Sequence, residues 1–128
     1  MEANILYVHR FISSLVFTDI VETITLIFLL RYVFKKHGVK LWQTVFAGLY
    51  ASFSTITYVW FVFPYLVNWP RSTAIIYAEI SVFIIEAIFY KMVLRLNWRV
   101  AFTISLVCNL VSYFVGPLLR MYGLWPTW

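Results

Sequence analysis

Charged side chains are scarce in this chain of 128 residues, of which they make up 12% and hydrophobic residues 63%. An ordinary soluble domain carries about 25% charged residues. So few charges cannot cover a water-facing surface of the usual size, and the composition therefore disfavours a soluble globular fold. A lipid bilayer is the solvent that fits this composition, and the length fits one domain over residues 1–128.

Cysteine, glycine and histidine are also scarce, and this limits the chemistry available. The single cysteine, Cys108, cannot form an internal disulfide, and no Cys/His cluster has zinc-site spacing. With four glycines there is no Gly-rich phosphate loop. His9 and His37 fall at opposite ends of a predicted helix, so they cannot share a metal, and neither can activate a serine at membrane depth. We expect no enzyme and no metal site, and the sequence assigns no cofactor.

Four runs with little or no charge lie between basic residues. Residues 41–70 and 100–119 contain no charge at all. Residues 11–30 and 72–90 contain two acids each. Because about 20 apolar residues suffice for a helix to cross the hydrocarbon core, the sequence predicts an all-α integral membrane protein. Its four transmembrane helices are predicted at about residues 11–34, 41–66, 73–95 and 98–119.

The basic residues predict the orientation of these helices. Seven of the ten lie in or beside the two hairpin loops: Arg31, Lys35, Lys36, Lys40, Lys91, Arg95 and Arg99. Cytoplasmic loops carry the Lys/Arg excess, so both hairpin loops should be cytoplasmic and both termini outside. Anionic lipid headgroups, rather than nucleic acid, are the expected partners of these loops. The tryptophans fit interfacial belts at the two faces: Trp42 and Trp98 at one, and Trp60, Trp69, Trp125 and Trp128 at the other.

Two similar segments suggest an internal repeat. "ETITLIFLLR" at 22–31 and "EAIFYKMVLR" at 86–95 both begin with glutamate and end with arginine. If the first hairpin carries an insertion of eight residues, Trp42 pairs with Trp98. This predicts two parallel repeats, each one helical hairpin. The alternative is that bilayer physics alone places basic residues and tryptophan at the interfaces.

Acidic residues fall inside two of the predicted helices. Glu22 and Glu86 should lie near the midplane, where a charged side chain costs about 2.5–3.5 kcal/mol on insertion scales. They must therefore turn away from lipid and be protonated, hydrogen-bonded or paired. Helical spacing supplies matching polar or small faces, including Thr44, Gly48, Ala51 and Thr55 on the second helix. The sequence predicts an intramembrane polar seam, acting as a contact or as an ion or proton site: Asp19, Glu22, Glu79, Glu86, Ser105, Asn109 and Ser112.

Two main functions remain open on this pattern. In the first, the chain is a non-enzymatic accessory or assembly subunit, in a homo-oligomer or with other membrane subunits, and the seam supplies interhelical contacts. In the second, it is a proton- or cation-linked transporter or channel that uses the embedded carboxylates. A weaker third possibility, an enzyme acting on a lipid, lacks a nucleophile–base pair.

Overall fold

Helices make up almost all of the part of the chain that the computed structural model describes, residues 2–124, with the backbone alone for residues 2–4 and 71. No strand occurs among these residues. Four helices are long and apolar enough to cross a membrane: Ile5–Val33, Leu41–Leu66, Ser72–Val93 and Trp98–Met121. The predicted all-helical architecture with four membrane-length helices is therefore confirmed.

The helix bounds are close to those predicted, except at the start of the chain. The first helix begins at Glu2 instead of residue 11, because the apolar stretch from Ile5 to Val8 continues the helix beyond Arg10. Two of the long helices contain a π-helical segment. In chain order the elements are α1 (Glu2–Phe28) with a π-helical end (Leu29–Val33), α2 (Leu41–Thr57), a π-helical link (Tyr58–Val62), α3 (Phe63–Leu66), α4 (Arg71–Val93) and α5 (Trp98–Met121).

Local signals at the hairpin loops set where the helices end and begin. The backbone takes a positive φ at Lys35 and at Arg95, which stops the first and third long helices. Asn97 caps α5, because its side-chain oxygen accepts the Val100 N–H at 2.9 Å. At the start of α2, the Gln43 side chain accepts the Lys40 N–H at 3.0 Å.

A proline in the second long helix is compensated from α1. Pro64 has no N–H, so the carbonyl of Trp60, four residues earlier, loses its helical partner. The Tyr7 hydroxyl donates to that carbonyl at 2.7 Å. The rings of Tyr7 and Phe11 also pack edge to face on Trp60. This contact joins α1 to the end of the second long helix that lies away from the hairpin loop.

The four long helices form a ring in which α1 and α4 each pack against both α2 and α5. Near the hairpin loops the interior is a core of buried, mostly apolar side chains, here named the dry core, that includes Leu26, Leu30, Tyr90 and Ile104. A close approach joins α1 and α2, where a Cβ on Gly48 would lie 2.6 Å from Thr23 Oγ1. Polar side chains fill the interior on the other side of the dry core.

A candidate site around two buried carboxyls

Glu22, on α1, points into the ring and is only 2% exposed. Its Oε2 accepts a hydrogen bond from Ser52 Oγ of α2 at 2.7 Å. Its Oε1 accepts one from Ser112 Oγ of α5 at 2.8 Å. The carboxyl therefore bridges both neighbouring helices, and each of its oxygens has a donor.

Glu86, on α4, is bound in the same way and is 1% exposed. Its Oε1 accepts a hydrogen bond from Thr55 Oγ1 of α2 at 2.8 Å. Its Oε2 accepts one from Asn109 Nδ2 of α5 at 2.6 Å. No described side chain forms an ion pair with either glutamate, so hydrogen bonds alone compensate their burial.

The two glutamates take their donors in an equivalent pattern. Glu22 accepts from Ser52 of its own hairpin and from Ser112 of the other hairpin. Glu86 accepts from Asn109 of its own hairpin and from Thr55 of the other. In both cases the donor from the glutamate's own hairpin is the earlier of that hairpin's two donors in the sequence, and the donor from the other hairpin is the later. Asn109 and Ser112 lie 57 positions after Ser52 and Thr55, as α5 starts 57 positions after α2. This register aligns Trp98 with Leu41, one residue away from the Trp42 pairing expected from the sequence. One residue matters, because it rotates a helical face by about 100°.

Each of the three hydroxyl groups at the site faces at least two acceptors but has only one hydrogen. Besides its glutamate, each lies near a backbone carbonyl of its own helix. Ser52 Oγ is 3.1 Å from the Gly48 oxygen, Thr55 Oγ1 is 2.9 Å from the Ala51 oxygen, and Ser112 Oγ is 3.0 Å from the Asn109 oxygen. The hydroxyl can therefore donate in either direction.

This geometry suits both protonation states of a carboxyl. An ionised carboxylate accepts the hydroxyl hydrogen. A protonated carboxyl donates its own hydrogen to the hydroxyl oxygen, and the hydroxyl turns to donate to the backbone carbonyl. Either state is satisfied by rotating an O–H bond, with no movement of a helix or a side-chain heavy atom.

Asn109 is different, because its amide only donates to the glutamate. Asn109 Nδ2 also donates to the Ser105 carbonyl at 2.9 Å. A carbonyl oxygen can only accept, so this bond fixes the NH2 group on the side that faces Glu86. Oε2 of Glu86 must remain an acceptor, and a proton on Glu86 therefore belongs on Oε1, beside Thr55.

A partly open cavity of about 280 Å³ reaches this site from one side. Glu22, Glu86 and Asn109 line its inner part, and Trp60 and Arg120 line the part nearer the helix ends that lie away from the hairpin loops. One turn beyond each glutamate in the other direction lie Leu26 and Tyr90, which are fully buried in the dry core. The cavity thus ends at the two carboxyls.

The structure brings only part of the predicted seam together. Glu22, Glu86, Asn109 and Ser112 form the site, and Ser105 donates to the Phe83 carbonyl instead of a glutamate. Asp19 is half-buried on α1 and makes no hydrogen bond to a described side chain. Glu79 borders the cavity but is exposed on the protein surface. Within residues 2–124, no three His, Cys, Asp or Glu side chains gather closely enough to hold a metal ion.

Ser52 was missed in the sequence, and Thr55 was noted only as part of a small-residue stripe. A signal existed, because Ser52 follows Gly48 by four residues and precedes Thr55 by three, on one edge of that stripe. For the side chains of the predicted headgroup residues, the structure gives one contact, Lys91 Nζ over the Trp98 ring at 4.9 Å. Trp125, Trp128 and the Arg71 side chain lie outside the described part of the chain.

No family model, curated protein or solved structure matches this chain. Its class is therefore defined by fold and site together. It is a bundle of four membrane-length helices whose interior holds a pair of hydrogen-bonded carboxyls at the end of a cavity.

Proposed function

We propose that the chain is an integral membrane protein that works as a proton-linked carrier, in which Glu22 and Glu86 take up and release protons. The observation that carries this proposal is the set of hydroxyl groups that each face a glutamate and a backbone carbonyl of their own helix. A site that only joins helices needs one hydrogen-bond arrangement. The hydroxyl groups of this site can serve both the charged and the neutral carboxyl, and a cavity gives solvent or a solute access to it.

The distribution of side chains supports insertion in a bilayer. Large apolar side chains such as Ile24, Phe28, Phe53 and Leu110 are exposed on the outside of the ring. The carboxyls and their donors lie inside. A soluble protein seldom exposes so much contiguous apolar surface. Such a surface is stable in contact with the hydrocarbon core of a bilayer.

The orientation and the repeat belong to the same proposal. With the basic hairpin loops in the cytoplasm, the cavity opens toward the outer face and the dry core closes the cytoplasmic side. The equivalent donor pattern around the two glutamates supports two parallel hairpin repeats, related by a pseudo-two-fold axis along the membrane normal. Rocking of one hairpin against the other would then be the simplest movement that opens the dry core.

The accessory-subunit function has less support from this geometry. In that function the seam would only supply contacts between helices, within the bundle or to a partner subunit. Both oxygens of Glu22 and both oxygens of Glu86 already have a donor within the chain. The two deepest acids therefore need no second subunit, although oligomer formation through other surfaces stays a prediction.

Proton flux in liposomes tests the proposed function. We expect wild-type protein to support a proton-coupled flux of a cation or solute, and Glu22→Gln and Glu86→Gln each to reduce it at least about tenfold, because an amide carries no exchangeable carboxyl proton. A dye inside the liposomes that reports pH measures the flux. Asp19→Asn is the comparison variant on the same helix, and it should reduce the flux less, since this carboxyl does not line the cavity.

The glutamine variants should remain folded, which makes the flux result interpretable. A glutamine amide can donate to a hydroxyl group that turns to its backbone carbonyl, so the hydrogen bonds are retained in a new arrangement. Flux that persists in both variants would refute the proposal. So would the absence of flux in wild-type protein over a range of cations and pH gradients.

A further inference from the structure

A groove of about 360 Å³ runs along the outside of the ring between α4 and α5. Most of its lining is apolar and comes from both helices, including Ile76, Ile80 and Leu106. The polar side chains that line it are Glu79, Asn109 and Tyr113. In a bilayer this groove faces the acyl chains. Contact of the Glu79 carboxyl with hydrocarbon alone would be energetically unfavourable.

The same three polar residues also line the interior cavity. They therefore form a wall that borders the groove on one side and the cavity on the other. Asn109 belongs to the site itself, since it donates to Glu86 at 2.6 Å. A ligand in the groove is thus separated from the buried carboxyls by one layer of side chains.

Glu79 is the acidic member of this wall. Its side chain is exposed, and no hydrogen bond or ion pair joins it to another described side chain. It also borders a second cavity next to Trp69 and Pro64. Among the residues that line the groove there is no lysine or arginine to neutralise it. A cationic group from outside the chain would complete this arrangement.

We propose that the groove binds a single-chain amphiphilic amine, with its alkyl chain along the isoleucine and leucine side chains and its ammonium group on the Glu79 carboxylate. The groove supplies apolar length and one negative charge, which matches the two parts of such a molecule. A phospholipid headgroup fits less well, because its phosphate would lie next to acids. The assignment of this amine as the transported solute rests on the proposed carrier function; its binding does not.

Thermal unfolding in phosphatidylcholine nanodiscs tests this site, followed by tryptophan fluorescence. We expect dodecylammonium to raise the unfolding temperature in a saturable way, while dodecanol and tetramethylammonium have little effect because each lacks one half of the ligand. Glu79→Gln should weaken the apparent affinity about tenfold to a hundredfold, which is what a hydrogen bond to a charged group supplies. Nanodiscs without protein correct for partition into lipid.

A pair of tryptophan substitutions tests the apolar half. Ile80→Trp fills the groove and should abolish dodecylammonium binding, whereas Ile84→Trp, on the same helix and also exposed but outside the groove lining, should leave it unchanged. Equal stabilisation by dodecanol, unchanged affinity in Glu79→Gln, or equal effects of the two tryptophan variants would each overturn the proposal. Competition by added phosphatidylethanolamine would overturn the assignment to a single-chain amine.

The outcome separates this proposal from the carrier function. Glu22→Gln should bind dodecylammonium as the wild type does, because Glu22 does not line the groove. Proton-coupled flux without amine binding would remove the groove site and leave the carrier function. Amine binding without any flux would do the reverse.

Discussion

At the scale of single residues, the central feature is a hydroxyl group placed between a carboxylate and a backbone carbonyl. Ser52 shows it most clearly, since its oxygen lies 2.7 Å from Glu22 Oε2 and 3.1 Å from the Gly48 oxygen. Serine two positions later is a natural comparison. Ser54 is exposed and bonds to the Tyr50 carbonyl at 2.8 Å, with no carboxylate nearby.

This difference predicts unequal effects of the same substitution. Ser52→Ala should lower the free energy of unfolding by about 0.5–1.5 kcal/mol, because Glu22 Oε2 loses its donor in a buried place. Ser54→Ala should change it by less than about 0.5 kcal/mol. Unfolding in detergent titrated with sodium dodecyl sulfate measures both variants. Equal losses would mean that the hydrogen bond to Glu22 contributes nothing specific.

Residue-level chemistry was only partly predictable. Glu22 and Glu86 could be identified because an acid between long apolar runs has to be sheltered, whatever the packing. The sequence did not distinguish Ser52 from Ser54, since a serine in a membrane helix can donate its hydrogen bond to a carbonyl of its own helix. Which serine meets the carboxyl depends on helix rotation, and rotation is set by packing between helices.

At the scale of elements, the rotation of α2 against α1 depends on Gly48. A Cβ at this position would lie 2.6 Å from Thr23 Oγ1 and 3.1 Å from Thr23 Cα. The second distance involves backbone, so side-chain rotation cannot relieve it. This close approach positions α2 so that Ser52, one turn further on, reaches Glu22.

Gly48→Ala should therefore destabilise the fold by about 1–3 kcal/mol, the usual cost of overpacking. Adding Thr23→Ala should recover part of the loss, because the Thr23 hydroxyl has no hydrogen-bond partner among the described residues. Gly116→Ala on α5 is the control, since its Cβ would meet Phe17 at an ordinary 3.4 Å. The same detergent unfolding measures all three. An unchanged free energy of unfolding in Gly48→Ala would show that α1 and α2 are not in close contact at this position.

Helix positions were more predictable than helix registers. The gaps between basic residues gave the ends of the helices, because hydrocarbon thickness limits each apolar run. The one-residue difference between the Trp42 pairing and the observed register was not predictable. It depends on where α2 and α5 begin, after Lys40 and after the Asn97 cap, and tryptophan at an interface tolerates such a shift.

At the scale of the whole molecule, the carboxyl pair can be reached through the cavity from one end of the bundle and is covered at the other end. The sequence predicted a polar seam but not this asymmetry, which arises because Leu26 and Tyr90 cover the pair on the hairpin-loop side. Tyr90 could not have been assigned to a dry core from its residue type, since its hydroxyl is buried without a described hydrogen-bond partner. Access from one side is what a carrier needs in its resting state.

Thiol accessibility in oriented vesicles tests this asymmetry most directly, in a Cys108→Ala background. Thr18 and Leu26 lie one turn to either side of Glu22, and only Thr18 lines the cavity. A membrane-impermeant cationic thiol reagent should modify Thr18→Cys when added on the face opposite the basic hairpin loops, and should modify Leu26→Cys from neither face. Modification of Leu26→Cys, or of Thr18→Cys from the hairpin-loop face, would contradict one-sided access to the buried carboxyls.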